Sequence, residues 1–364
     1  MTNMIDLPLL PAPDLVEGLD YENTFSNMRD QLNGLQPLLF TDQYTPVLLE
    51  AELFTADNGD KYFKVPASSD TGLLYLDLES DPQTKQLQVF AYREMLLTQK
   101  INNAAKATMI AFANGADLDQ EAARFGVKRL IITPPEPDAI PPKEAVYESD
   151  PSLRYRTQLA LEGFSTAGSR GAYEFHALSA SAKVKAVDVA APKFTYVTLT
   201  SEQKNMLPEG AIVIIPEDDA GLTDPVPGDV AVTVLSTEAN GEASEETLTS
   251  VRAALSPEDV RPLNDNPRTR SAEIVEYTVD ASLILSSGPD DSVVLEAAEK
   301  ALNDYVENSR SIGIPPTIAG LYSVLKQPGV YDVVLNEPSS PIELTSYQSA
   351  FCTGVNLTLG GING

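Results

Sequence analysis

The chain is short of the residues that make cross-links and metal centres. It has one cysteine, Cys352, and one histidine, His176, among 364 residues. A lone cysteine forms no internal disulfide, so no disulfide framework holds the fold. One Cys and one His also fall short of an ordinary zinc site, which draws four ligands mainly from those two types. Basic charge is scarce as well: 25 Lys and Arg stand against 53 Asp and Glu, a net charge of −28. Such a surface repels phosphate backbones and anionic headgroups, which argues against nucleic acid and membrane as partners. No run is apolar enough to span a bilayer, and the N-terminus lacks the basic-then-apolar order of a signal peptide. The expectation is a soluble protein made in a cytoplasm. Residues 344–364 depart from the rest in carrying no charge at all.

Catalytic motifs are missing too. There is no G-x-S-x-G elbow for a nucleophilic serine. The dipeptide GK never occurs, so the glycines of AGSRGAY (167–173) are not a P-loop and read as a tight turn between two helices. Residues 207–265 hold 13 Asp and Glu against two Arg, yet they lack the spacing of a calcium loop. No cofactor and no metal are expected.

What is present is an alternation of helical and strand-like segments in mixed order, which predicts an α+β fold. An N-terminal arm and a long assembly helix lead into two or three mixed α/β domains. The organisation reads as an extended arm over 1–45, Pro- and Leu-rich at its start, and a hairpin region over 46–80 turning at Asn58-Gly59. A long-helix region over 81–132 and a stiff Pro-rich linker over 133–147 follow. A central α+β domain spans 148–270, and a C-terminal α+β domain spans 271–364.

The clearest single element begins with Ser80 or Asp81 as cap and Pro82 at the first helical position, and stops at Asn114-Gly115. Such a helix would be roughly 48 Å long, more than a small domain ordinarily buries by itself. Leu87, Phe90, Leu97, Ile101 and Phe112 recur on it at helical spacing. They are the candidate partner-binding residues, with helices of another subunit, or else the chain's own domain, as the cover.

The segment ESDPSLRYRTQLALEGFSTAGSRGAYEFHALSA (148–180) holds most of the chemistry-bearing residues. Glu148 and Asp150 form the one enzymatic alternative, a glycosidase-type carboxylate pair. Asp150, however, precedes Pro151 and has Arg154 four residues on, so capping and local pairing explain it better. His176 lies three residues from Tyr173 on one helix face, beside Phe175, and reads as a core or interface residue.

This segment resembles the central motif of the baseplate J-like family of contractile-tail wedge proteins. The resemblance extends through IDLPLLPAPDLVEGLDYE, AYREMLLTQKINNAAKATMIAFANGADLDQ and NGEASEETLTSVRAALSPEDVRPLND to IVEYTVDASLIL and SAFCTGVNL, in that order. Against short members of the family, the chain carries extra residues around 40–79 and 201–227, read as tolerant surface insertions. The resemblance implies a structural, non-enzymatic role in the virion tail baseplate of a phage or phage-like particle, after assembly in a host cytoplasm. The implied partners are a second wedge protein of the tail protein I type, other copies of the chain, and other wedge-core, hub and sheath-initiation proteins. Glu148, Ser149, Asp150, Arg154, Arg156, Gly168, Ser169, Tyr173 and His176 are implied to be framework rather than catalytic.

Overall fold

The computed structural model describes residues 5, 7–11, 13, 17–35, 52–55, 61–64, 82–165, 168–258, 260–286 and 290–363. The chain divides into two units, 6–117 and 118–364, the latter taking in residues 1–5.

In the first unit, Asp20 starts α1 (Tyr21–Leu35) by accepting from the Asn23 N–H at 3.0 Å. The arm expected to be extended to residue 45 is therefore helical over 21–35. A local cap and the Tyr21–Phe25 pair one turn apart, with stacked rings 6.2 Å between centroids, favour the helix. Strands β1 (Glu52–Thr55) and β2 (Lys61–Lys64) pair antiparallel, with Leu53 opposite Phe63. The turn expected at Asn58-Gly59 lies outside the described residues.

The long helix, α2 (Pro82–Ala107), has 26 residues, about 39 Å. It stops short of Asn114 because the chain tightens at its end: the Thr108 hydroxyl donates back to the Ala105 carbonyl at 2.9 Å, and the Met109 N–H to the Lys106 carbonyl at 3.1 Å. Gly115, at φ +54°, then opens α3 (Gly115–Arg124).

The expected Pro-rich linker is instead a closed hairpin. β3 (Ile131–Thr133) pairs with β4 (Val146–Tyr147). Between them Glu136 and Lys143 exchange backbone bonds at 2.9 and 3.0 Å and form an ion pair at 3.0 Å. The prolines shape a loop that folds back on itself rather than a spacer.

The second unit has two principal hydrophobic cores. The first lies between a sheet and helices α4 (Asp150–Leu159), α5 (Arg170–Ala180) and α7 (Glu245–Leu255). Strands β5 (Val184–Ala190), β8 (Asp229–Ser236) and β9 (Asn266–Ser271) run in spatial order β5-β8-β9, with β5 antiparallel and β9 parallel to β8. Strand β8, DVAVTVLS, is buried along its whole length. Its Val230, Val232 and Val234 point to the helices and meet Leu248, Val251 and Leu255 of α7. A small antiparallel ribbon of β6 (Lys193–Tyr196) and β7 (Ile214–Asp218), joined through α6 (Ser201–Asn205), extends from this block.

The stretch beyond that ribbon is not a dispensable insertion. Ala220 and Leu222 are buried against Ala231, and the Ala220 and Gly221 carbonyls accept from the Arg270 guanidinium.

The second core packs α8 (Asp291–Asn308) and α9 (Ile318–Leu325) on a sheet of order β11-β10-β12. Its strands are β10 (Glu273–Ser286), β11 (Val330–Glu337) and β12 (Gln348–Asn363), with β11 antiparallel and β12 parallel to β10. Alternate residues Val279, Ala281, Leu283 and Leu285 of β10 face Val294, Ala298 and Leu302 of α8.

Candidate functional site

Pro151 just inside α4 fixes the helix start, and the Ser149 hydroxyl caps it by accepting from the Ser152 N–H at 3.4 Å. Capping thus belongs to Ser149, one residue before the Asp150 expected to serve. That start directs Glu148 inward, where it forms an ion pair with Arg156 two turns along the helix. Only 4% of either side chain is exposed. Glu148 also accepts from the Leu130 N–H at 2.8 Å and the Ser152 hydroxyl at 3.0 Å. Arg156 in turn donates to the Lys128 carbonyl at 2.6 Å and the Ser179 hydroxyl at 3.2 Å.

Arg129, in the neighbouring strand lead-in, meets Asp119 at 2.6 Å, Asp150 at 2.8 Å and the Glu148 carbonyl at 2.8 Å. Burial alone would lower its pKa, but the bonds and charges of Asp119 and Asp150 carry it above the ordinary value. Together Glu148, Arg156 and Arg129 tie α3, α4, α5 and the β3 lead-in to one another. Both carboxylates of the enzymatic alternative are thus engaged by guanidinium groups. Arg154 is half-buried on the same helix.

The turn between α4 and α5 is equally committed. Gly168 has φ +73°, and a Cβ there would sit 2.8 Å from Pro262 Cγ and 3.0 Å from Asp265 Oδ2. The Ser169 hydroxyl caps α5 by accepting from the Ala172 N–H at 3.3 Å. Tyr173, buried one turn on, donates its hydroxyl to Asp265 Oδ2 at 2.8 Å. Burial first, then that carboxylate, pushes its pKa upward. His176 Nε2 lies 3.2 Å from the Gly163 carbonyl, and its ring meets Phe175 edge-on. Thus Gly168, Tyr173 and His176 come together around one helix–turn–helix corner.

An open cleft of about 400 Å³ runs beside that corner, lined by Arg170, Tyr173, Phe194, Asp229 and Asp265 among others. Its carboxylates have partners. Asp229 accepts from the Val226 N–H at 2.9 Å, Asn266 at 2.7 Å and Arg268 at 3.0 Å. Burial would raise the Asp229 pKa, but those three bonds bring it below the ordinary value. Among the described residues no group of three or more His, Cys, Asp or Glu is placed to hold a metal ion.

The helix residues expected on one stripe fall on two faces of α2. Leu87 is buried with Thr84, Ala91 and Asn102, the face for which α1 is the packing neighbour. Asn102 fastens the chain entering α1 through two bonds with the Glu17 backbone, at 3.2 and 2.8 Å. Phe90, Leu97 and Ile101 lie on an adjoining face, 58%, 61% and 62% exposed. Exposed Arg93 and Lys100 border that row on one side, and Val89 and Leu96 lie beyond them. Phe112 is half-buried in the turns beyond the helix end. Sequence reasoning missed Val89 and Leu96; the apolar residues of α2 run around most of a helical wheel, so apolarity alone does not tell the covered face from the exposed ones.

Two family models match the chain. One described as the baseplate J-like N-terminal domain covers residues 79–136, and one described as the baseplate J-like protein C-terminal domain covers 277–358. The chain is 37% identical over 358 residues to a protein named baseplate protein J from Escherichia phage P2, covering 98% of each. A chain in the cryo-EM structure of the anti-feeding prophage baseplate aligns at a TM-score of 0.31 and 13% identity. That alignment spans 59% of this chain and 43% of the other, a likeness too slight to carry an argument.

Proposed function

The chain belongs to the baseplate J-like family, and from that premise we propose that it is a wedge subunit of a contractile-tail baseplate. In this reading it is a structural component that joins a second wedge protein through α2. It touches copies of itself and hub and sheath-initiation proteins elsewhere, and it rearranges with them on contraction. Assembly takes place in the host cytoplasm. The observation that carries the reading is the division of α2. One face is buried in its own unit, and the other displays Phe90, Leu97 and Ile101 to solvent over about three turns. A helix with two apolar faces has room for two neighbours. Arg93 and Lys100, along one side of that row, favour a partner helix that brings carboxylates to that side.

Burying each large apolar side chain contributes about 1.5–3 kcal/mol. Losing two is then worth about 3–6 kcal/mol, or roughly a hundredfold to ten-thousandfold in affinity. The double substitution Phe90→Asp and Leu97→Asp should abolish co-purification with the second wedge protein. Because both side chains are exposed, the melting curve should stay where it is. Undiminished complex formation by a folded variant refutes this assignment of α2. Glu148 and Asp150, engaged as they are by Arg156 and Arg129, lend no support to a hydrolase.

A further inference from the structure

Alternate residues of β8 point to the two faces of its sheet. Val230, Val232 and Val234 meet the helices, which leaves Asp229, Ala231 and Thr233 on the back. Those three are buried as well, because a strap of irregular chain, residues 219–224, crosses that face. Ala220 and Leu222 of the strap pack on Ala231. Two arginines of β9 fasten it. Arg268 donates to the Thr223 carbonyl at 3.0 Å and the Asp224 carbonyl at 3.4 Å, and Arg270 donates to the carbonyls of Ala220 and Gly221.

The fastening works against local strain. Ala220 and Asp224 have φ of +51° and +48°, the left-handed region that a β-carbon disfavours. Bonds internal to the strap are short in range. The Leu222 N–H donates to the Asp219 carbonyl at 3.0 Å, and the Gly221 N–H to the Asp219 carboxylate at 2.7 Å. Arg270 has a second commitment. Its guanidinium lies over the Tyr347 ring, 4.6 Å from the centroid, while its Nε donates to the Thr233 hydroxyl at 3.0 Å. Tyr347 belongs to the second core's chain, immediately before β12. A Cβ at Gly221 would sit 2.8 Å from Tyr347 Cδ1. Strap, guanidinium and ring are therefore layered where the chain passes from the first sheet to the second.

We propose that the 219–224 strap is a strained latch released when the two cores shift against each other, with Arg270, clasped between strap carbonyls and Tyr347, as its catch. A displaced Tyr347 leaves one face of the guanidinium unsupported. The Ala220 and Gly221 carbonyls then lose their donor, and the two left-handed residues relax into ordinary backbone. Release uncovers Ala231 and Thr233. It also frees the end of β7, which runs directly into the strap, so a movement between the cores reaches the β6–β7 ribbon. The device uses none of the α2 residues and stands whether or not α2 receives a partner.

The test is native-state hydrogen exchange of the full chain, read by mass spectrometry as the protection of 219–224 relative to β8. In the wild type the strap should open on its own, with protection at least about tenfold below that of β8. Ala220→Gly should slow that opening by about threefold, because glycine takes the left-handed φ without strain. At a relaxed position the same change would quicken opening, through the added freedom of the released chain. Tyr347→Ala should lower strap protection relative to β8 by at least about threefold, whereas Tyr347→Phe, which keeps the ring over Arg270, should match the wild type. A wild-type strap as protected as β8 overturns the proposal. So does faster opening in Ala220→Gly, or an unchanged ratio in Tyr347→Ala. Ala220→Gly relieves strain rather than adding it, so it stays folded and keeps the test decisive whatever Tyr347→Ala does to stability.

Discussion

Replacing Arg156 with methionine keeps most of the side chain's length and apolar stem but removes the guanidinium that faces Glu148. The carboxylate then stays buried with only the Leu130 N–H and the Ser152 hydroxyl to satisfy it. The Lys128 carbonyl and the Ser179 hydroxyl each lose a donor. Breaking a buried pair from one side in this way costs about 3–5 kcal/mol. For a unit of this size each kcal/mol lowers Tm by about 2–4 °C, so the variant should melt about 6–20 °C below wild type. The penalty comes mainly from the stranded charge. Adding Glu148→Gln should therefore recover part of the loss, since a neutral amide still accepts from the Leu130 N–H and needs no counter-ion. Calorimetry and urea unfolding of the wild type, the single variant and the double variant make the measurement. A single variant melting within about 2 °C of wild type would refute the reasoning. A double variant less stable than the single one would refute the attribution to charge.

The remaining predictions concern acid stability, the corner glycine and the loop after β7. Asp229 titrates below its ordinary value of 3.8 in the folded chain, so its stabilisation is full above about pH 4 and is lost as pH falls through the depressed value. Asp229→Asn should flatten that acid limb, and an unchanged limb in acid titration would contradict it. Gly168→Ala forces a side chain into positive φ and against Pro262 and Asp265, for a loss of about 1–3 kcal/mol visible as a lower urea midpoint. Exchanging residues 216–224 for a Gly/Ser linker removes Ala220 and Leu222 from their core and acceptors from Arg270. It should destabilise the unit by about 2–5 kcal/mol, and an unaltered melt would place the segment outside the core.

Elements defined by local signals were legible in the sequence. The caps and apolar periods of α7 and α8, the apolar run of β8 and the alternation of β10 each require only a few neighbouring residues. Strand β9 gave no such signal. NPRTRS reads as loop, and it becomes a strand because β8 offers it a parallel partner while loop carbonyls engage its arginines. The pairing of Glu148 with Arg156 was hidden for a related reason. Both residues stood out by type, but which charge meets which is decided by packing between helices. Periodicity located α2 but merged its two faces, since Leu87 and Phe90 are both apolar and only α1 distinguishes them. The helix start at Asp20 carries its own local signal, which the proline-rich composition before it masks.

Strand β9 ends at Ser271 and β10 begins at Glu273, so one extended run of chain belongs to both sheets. The bonding does not lapse at the junction: the Ala272 N–H donates to the Val234 carbonyl at 2.8 Å and the Glu273 N–H to the Tyr347 carbonyl at 3.1 Å. The two blocks therefore share a tension member rather than a hinge. A pull applied along it loads the parallel ladders with β8 and β12 in shear, where many bonds must yield together instead of one after another. Strain entering one block is passed to the other along a backbone with little slack. Any compliance between those two blocks must come from bending the strut itself, which twisted and hydrogen-bonded chain resists.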